Sequence, residues 1–344
     1  HGSVDKVNLT KEDYITDGVE IDREFNSYGL VNKEISPEKA TTTIAYDSHN
    51  LYPATTTNDL NQATYTEYNL FNSQVATTTS PTGAKTVNRF DAFGRTKEVW
   101  ISDADTPATL VKKQEISYQD STLPRYVEVK DYFDASNFST SREYYDGLDR
   151  VIQKKANTAT TGQYTTVDTL YDSQGRVVHQ SLPYITNTIS YSSPNLTKPA
   201  KTYTYDALDR VLSESTPTGV TSYEYDGFKT TITDANGIQK DLTKDAYGNL
   251  VEVKEYNGVS TYTTGYDYTL TNKLEKITDS QGNIRNFHYD VLDNLDWQDM
   301  VHKSSVATPE KINYTHDKNG NVLTEASFKG DAISYVYDDL NRVL

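Results

Sequence analysis

A short signature returns along almost the whole of this 344-residue chain. It reads aromatic, then Asp or Asn, then two variable residues, then Gly, Asp or Asn, and usually Arg or Asn before an aliphatic residue. The clearest copies are Tyr145-Asp146-Gly147-Leu148-Asp149-Arg150-Val151, Tyr171-Asp172-Ser173-Gln174-Gly175-Arg176-Val177 and Tyr205-Asp206-Ala207-Leu208-Asp209-Arg210-Val211. Phe25-Asn26-Ser27-Tyr28-Gly29, Phe90-Asp91-Ala92-Phe93-Gly94-Arg95 and Asp245-Ala246-Tyr247-Gly248-Asn249 follow the same rule. So do Tyr289-Asp290-Val291-Leu292-Asp293-Asn294, His316-Asp317-Lys318-Asn319-Gly320-Asn321 and Tyr337-Asp338-Asp339-Leu340-Asn341-Arg342. Weaker copies stand at Tyr46-Asp47, Tyr68-Asn69, Tyr225-Asp226 and Tyr266-Asp267, with Tyr118-Gln119-Asp120 a degraded one. The first acidic or amide positions, 26, 47, 69 and 91, are 21, 22 and 22 residues apart. A repeat of this length is one supersecondary unit that cannot bury itself alone, so it must stack on its neighbours.

The signature has the chemistry of a turn. An Asp or Asn side chain accepts a hydrogen bond from the backbone two residues on and so nucleates one. Three residues later stands Gly, Asp or Asn, the types that tolerate a left-handed backbone. Together they predict a type I turn closed by a left-handed residue, a common hairpin connection. Between signatures, alternation of period two marks strands: Tyr262, Thr264, Tyr266 and Tyr268 share a face, as do Tyr203 and Tyr205. Secondary turns are expected midway, at Ser80-Pro81-Thr82-Gly83, Thr216-Pro217-Thr218-Gly219, Asp234-Ala235-Asn236-Gly237 and Asp279-Ser280-Gln281-Gly282. The chain therefore reads as all-β, an antiparallel meander of β-hairpin repeats. Its 28 tyrosines separate it from a disordered polar chain, which would be poor in aromatics.

Composition narrows the chemistry. A net charge of −16 argues against a nucleic-acid partner, which calls for clustered Lys and Arg. There is no cysteine for a disulfide or thiolate site, and no apolar run long enough for a membrane span. The six histidines show no metal-ligand spacing. Asp317-Lys318-Asn319-Gly320-Asn321 resembles a calcium loop but lacks the closing Glu and falls on a repeat turn. Neither a nucleophile elbow nor a phosphate-binding glycine loop is present. No catalytic, cofactor-binding or metal-binding residue is nominated, and the expectation is a protein that is not an enzyme. The residues expected to matter are the structural turn residues of the copies at Asp146, Asp172, Asp206, Asp290 and Asp338, each with its preceding Tyr, its left-handed residue and, where present, its Arg.

These copies resemble the YD repeat of the RHS family. The likeness runs from about residue 25 to residue 344. Tyr46-Asp47, Leu51-Tyr52-Pro53 and Trp100 look similar to segments of bacterial toxin-complex proteins. The resemblance implies a strip of sheet that curls or spirals into part of a hollow shell, of the kind that encloses a C-terminal toxin in bacteria or forms the extracellular barrel of teneurins. It implies as partners the rest of a longer chain or a toxin cargo, and a secreted or cell-surface location. Bacterial members often end in an Asp-Pro-rich autoprotease core, and no Asp-Pro dipeptide occurs here. The alternative is an adhesion module that binds a cell-surface protein or glycan through exposed Tyr and Trp. The organisation expected is a cloning remnant, His1-Gly2-Ser3, with a lead-in over residues 1–24, then one continuous repeat array over 25–344.

Overall fold

The computed structural model describes residues 2–5, 8–14, 19–303, 305–306 and 308–344, with side chains from residue 21 onward. The reading of His1 as part of a cloning remnant lies outside the described residues. Every described element is a β-strand, and every pairing is antiparallel. The chain divides into two compact units, residues 67–240 and residues 1–66 with 241–344.

In the unit of residues 67–240, each strand pairs mainly with the next in sequence. Arg125–Tyr132 pairs with Phe138–Tyr145 along its full length, from Arg125↔Tyr145 to Tyr132↔Phe138. The meander forks at Tyr164–Tyr171. The first half of that strand pairs with Tyr184–Thr186, and its last residues pair with Val177–Ser181. Ala200–Tyr205 then continues the sheet on Val177–Ser181.

The other unit repeats the plan. Leu250–Asn257 pairs with Ser260–Tyr268, which pairs with Leu274–Thr278 and so on to Ala332–Ser334. A second fork falls at Asn283–Tyr289, which pairs with both Leu295–Asp299 and His302–Lys303.

The register slips by one residue beside the signature aromatic, at Tyr145, Tyr171, Tyr205, Tyr289 and His316 among others. Each signature is thus a bulged hairpin, and a bulge adds local twist. The slip comes from the turn: Asp146 N–H bonds the Arg150 carbonyl at 3.0 Å, so five residues separate the last paired positions, Tyr145 and Val151.

Neither unit has an oily centre. Among the described residues, Tyr144 is the buried hydrophobic side chain, and the other fully buried ones are polar: Gln153, Lys155, Thr166, Asp168 and Asp299. Cross-strand pairs, worth roughly 0.2–1 kcal/mol each, and turn contacts therefore carry much of the stability.

Candidate functional site

Each turn is built around its first side chain. Asp172 Oδ1 accepts the N–H groups of Gln174 and Arg176, both at 2.9 Å, while its own carbonyl accepts from Gly175. Asp146, Asp206, Asp290 and Asp338 make the same set. The residue three positions on is left-handed, with φ of 61° at Asp149, 88° at Gly175, 64° at Asp209, 63° at Asp293 and 60° at Asn341. The Arg that follows closes the turn with its side chain, as Arg176 Nε donates to Asp172 Oδ2 at 2.8 Å. Arg150, Arg210 and Arg342 do likewise with Asp146, Asp206 and Asp338. These donors hold the carboxyls below the usual range: Asp172 chiefly through the Arg176 N–H, and Asp338 chiefly through the Arg342 side chain.

The aromatic residue couples one repeat to the one before. Tyr171 donates its hydroxyl to the Val151 carbonyl, Tyr205 to Val177, Tyr289 to Leu274 and Tyr337 to Val322, at 2.6–3.0 Å. Each acceptor is the first strand residue after the preceding turn. Tyr118 of the degraded copy keeps the bond, to the Thr96 carbonyl. Tyr145 departs from it and donates to Glu143 Oε2, and burial together with that bond pushes its phenol up to about 12.

The Arg side chains reach forward as well. The guanidiniums of Arg150, Arg176 and Arg210 lie 4.6, 4.7 and 4.3 Å from the ring centres of Tyr171, Tyr205 and Tyr225. Arg176 also donates to Asp209 Oδ1, at the left-handed position of the next turn. The stack and this turn-to-turn bond were not legible in the repeat pattern, because both join residues of different repeats.

Two weak copies are corrected by the structure. At Tyr266-Asp267 the turn begins two residues later: Thr269 starts it, Asn272 is its left-handed residue at φ 62°, and Tyr268 makes the hydroxyl bond, to the Leu250 carbonyl. At Tyr225-Asp226 the hairpin is tight, with Asp226 opposite Lys229 and Gly227 at φ 57°. The secondary turn at Thr216 is likewise a tight connection, since Thr216 pairs directly with Gly219.

A second constellation was not foreseen at all. Between Ser181 and Ala200 the chain runs as a strap over buried side chains of the unit of residues 67–240. Lys155 Nζ donates to the carbonyls of Thr188 (3.1 Å) and Ser190 (2.7 Å) and to Ser192 Oγ (3.2 Å). Gln153 holds Ser192 through both its N–H and its carbonyl. Asp168 accepts from Gln153 Nε2, the Tyr184 hydroxyl and the Asn195 N–H, and the Tyr144 hydroxyl reaches the Ile189 carbonyl. Burial pulls Lys155 down against the opposing pull of Asp168, and it pushes Tyr184 up together with the bond to Asp168. All three ammonium protons of Lys155 have acceptors. That is the chemistry of a staple, with no donor left over for a substrate.

Comparison with known proteins agrees with this geometry. The RHS repeat family model matches residues 205–239, the stretch that starts at the Tyr205-Asp206 turn. That stretch carries the sequence of an RHS repeat. No curated protein matches it. Among solved structures, the TcdB2-TccC3 complexes with TEV and with Cdc42 each superpose with a TM-score of 0.79 over 97% of this chain at 13% identity. A Tc holotoxin pore from Photorhabdus luminescens, solved with a TccC3 mutant, gives 0.78 over the same share and identity. This likeness is one of fold. The chain spans 23% of the length of each of those chains.

Proposed function

We propose that this RHS-repeat chain is a non-catalytic wall segment that helps enclose and shield a polypeptide, such as a toxin, in a secreted toxin complex. The observation that carries the reading is where the polar atoms of the repeat go. The signature Asp, Tyr and Arg side chains are bonded to backbone or to the next repeat, and the buried Lys155 cluster is bonded to the strap. Residues spent in this way join repeats into a continuous sheet. The fold shared with TcdB2-TccC3 and with a Tc holotoxin component supports the same role.

The adhesion alternative rests on exposed aromatics, and the two tryptophans offer it little. The face of Trp100 carries the Arg89 guanidinium at 4.7 Å. Trp297 lies between the stacked ring of His288 and the Lys311 ammonium. Rings with such neighbours are poor platforms for a sugar. The discriminating experiment is limited proteolysis of the full-length protein carrying this segment. A polypeptide protected in the parent and digested in the triple variant Asp146→Ala/Asp172→Ala/Asp206→Ala is expected. Equal digestion in both sinks the wall reading. Selective glycan-array binding lost on surface Tyr→Ala changes would replace it with adhesion.

A further inference from the structure

Four arginines show where a guanidinium sits in this fold. In the unit of residues 67–240 they lie across the ring of the following repeat, 3.9 Å from the ring centre of Tyr118, 4.6 Å from Tyr171, 4.7 Å from Tyr205 and 4.3 Å from Tyr225. At the first of these rings, Arg95 stands in the wall of the cleft between the Asp91 turn and Tyr118. It also bonds Asp91 and Asp120, both at 2.8 Å. A Tyr face flanked by carboxylates is thus a guanidinium seat here.

The unit of residues 1–66 and 241–344 keeps the seat and lacks the arginine. Asn321 is the fifth residue of the turn at Asp317, and its amide bonds Asp317 Oδ2 at 2.8 Å. The side chain ends there, whereas an arginine making that bond carries the rest of its guanidinium onward to the next ring. That ring is Tyr337, whose hydroxyl bonds the Val322 carbonyl as Tyr171 bonds Val151. Asn294 ends likewise on Asp290, with His316 as the next ring. Among the described residues of this unit, cations stand over Phe287, Trp297 and Phe328, and over neither of these two rings. Both rings instead line an open cleft of about 810 Å³. Glu38, Asp296 and Asp339 join the turn carboxylates in its wall, against the one ammonium of Lys318. Glu38 is held by the Lys318 N–H at 2.8 Å, and Asp339 has no partner of its own among the described residues. A cleft of about 430 Å³ beside Tyr268, where Asn249 replaces the arginine, is of the same make, with Asp245 and Asp267 in its wall.

We propose that the cleft beside Tyr337 binds an arginine side chain of another polypeptide, its guanidinium on the Tyr337 ring and among these carboxylates. The Tyr268 cleft, smaller and with fewer carboxylates, is a weaker site of the same kind. A guanidinium suits the cleft better than an ammonium because its plane lies on the ring while its edge donates. It also suits it better than a metal ion, since no three His, Asp or Glu side chains among the described residues are grouped to chelate one. Such binding needs only the cleft and is independent of whether the array encloses a cargo.

The test titrates acetyl-Gly-Arg-Gly-amide into the isotope-labelled chain at neutral pH and follows backbone amide shifts. Saturable shifts are expected at His316, Tyr337 and Asp339, with weaker binding at Tyr268. The lysine peptide should bind about tenfold less tightly, and the citrulline peptide, of the same shape without the charge, should give no saturable response. Asn321→Arg supplies the guanidinium from within the chain. It should weaken binding at Tyr337 about tenfold, the order of one such contact, and leave Tyr268 unchanged. Asn249→Arg should do the converse. No saturation at Tyr337 with tens of millimolar peptide, an equal response to the lysine or citrulline peptide, or parental binding by Asn321→Arg would each overturn the proposal.

Discussion

The two units build one turn with different fifth residues. In residues 67–240 the fifth residue is Arg at positions 95, 150, 176 and 210, and each guanidinium bonds its own Asp and lies on the ring of a following Tyr. In residues 241–344 it is Asn at 249, 283, 294 and 321, and Arg at 342, whose guanidinium bonds Asp338. These amides keep the bond to the Asp at 2.6–3.1 Å and place no cation on a ring. Asn249 and Asn321 still reach forward, to Asn272 and Asn341. The buried polar clusters differ in the same sense. One unit buries Lys155, Gln153 and Asp168 under a strap, while the other buries Asp299 against the backbone and side chain of Asn286. The turn itself needs only its carboxylate and its backbone donors. The fifth residue sets how firmly one repeat grips the next.

Acid attacks the part both units share, and it has the largest expected effect. Asp172 is lowered first by the Arg176 N–H, Asp279 by the Asn283 side chain, and Glu98, with Lys112 as its main partner, falls to about 2. A carboxylate lowered on folding contributes stability that is complete above its unfolded value, about 4, and is lost as pH falls through the folded value. Both units should therefore unfold together between about pH 4 and pH 2. An unchanged β-sheet circular-dichroism spectrum and melting temperature at pH 2 would show that the turn carboxylates are dispensable.

Lys155→Met separates the units. It leaves two carbonyls and a hydroxyl without their donor under the strap, and a buried acceptor left unsatisfied costs about 1–3 kcal/mol. Hydrogen exchange should accelerate over residues 182–199 and stay unchanged over 283–299. Unaltered strap protection would mean that Gln153 and Asp168 hold it unaided.

Glycine substitutions come next. Gly175→Val forces a β-branched residue into a left-handed conformation that already costs an ordinary residue roughly 1–2 kcal/mol. Aspartate sharpens the comparison. A Cβ at Gly175 would stand 3.4 Å from an Arg150 guanidinium nitrogen, whereas at Gly320 it would stand 3.2 Å from Asn294 Oδ1. Gly175→Asp should then unfold near the parent in urea, and Gly320→Asp should lose about 1 kcal/mol more, since an unpaired acceptor faces it. Equal losses would show that the preceding turn does not read the left-handed residue.

The turns were legible because their rule is local: Asp, a left-handed residue and a Tyr lie within a few positions, and the type of each residue states its task. The slip at Tyr266 shows the limit. Tyr266 and Tyr268 share a face, and Asp267 is the better turn former by type. Thr269 starts the turn all the same, because that register puts Asn272 in the left-handed position and the Tyr268 hydroxyl on Leu250. The strap was illegible for a related reason. Gln153 meets Ser192 and Lys155 meets Ser190 through side chain-to-backbone bonds, which impose no residue type on the strap. A segment such as Asn187-Thr188-Ile189-Ser190 therefore reads as ordinary loop.

The smallest effect tests the fifth residue directly. Arg176→Asn should keep the Asp172 bond and lose the stack on Tyr205, worth about 0.5–1 kcal/mol at an exposed site, with a further 0–1 kcal/mol, roughly, for the surface pair with Asp209. A double-mutant cycle of Arg176→Asn with Tyr205→Leu isolates the stack. Array proteins can unfold in stages, so hydrogen exchange at Val177 and Tyr205 is the appropriate readout beside urea midpoints. The converse change, Asn249→Arg, should raise protection around Tyr268 by a similar amount, since the Tyr268 hydroxyl bonds the residue after Asn249. If the cycle gives coupling below about 0.2 kcal/mol, under the usual limit of additivity, the guanidinium on the ring is a bystander. The difference between the two units would then lie in the strap cluster alone.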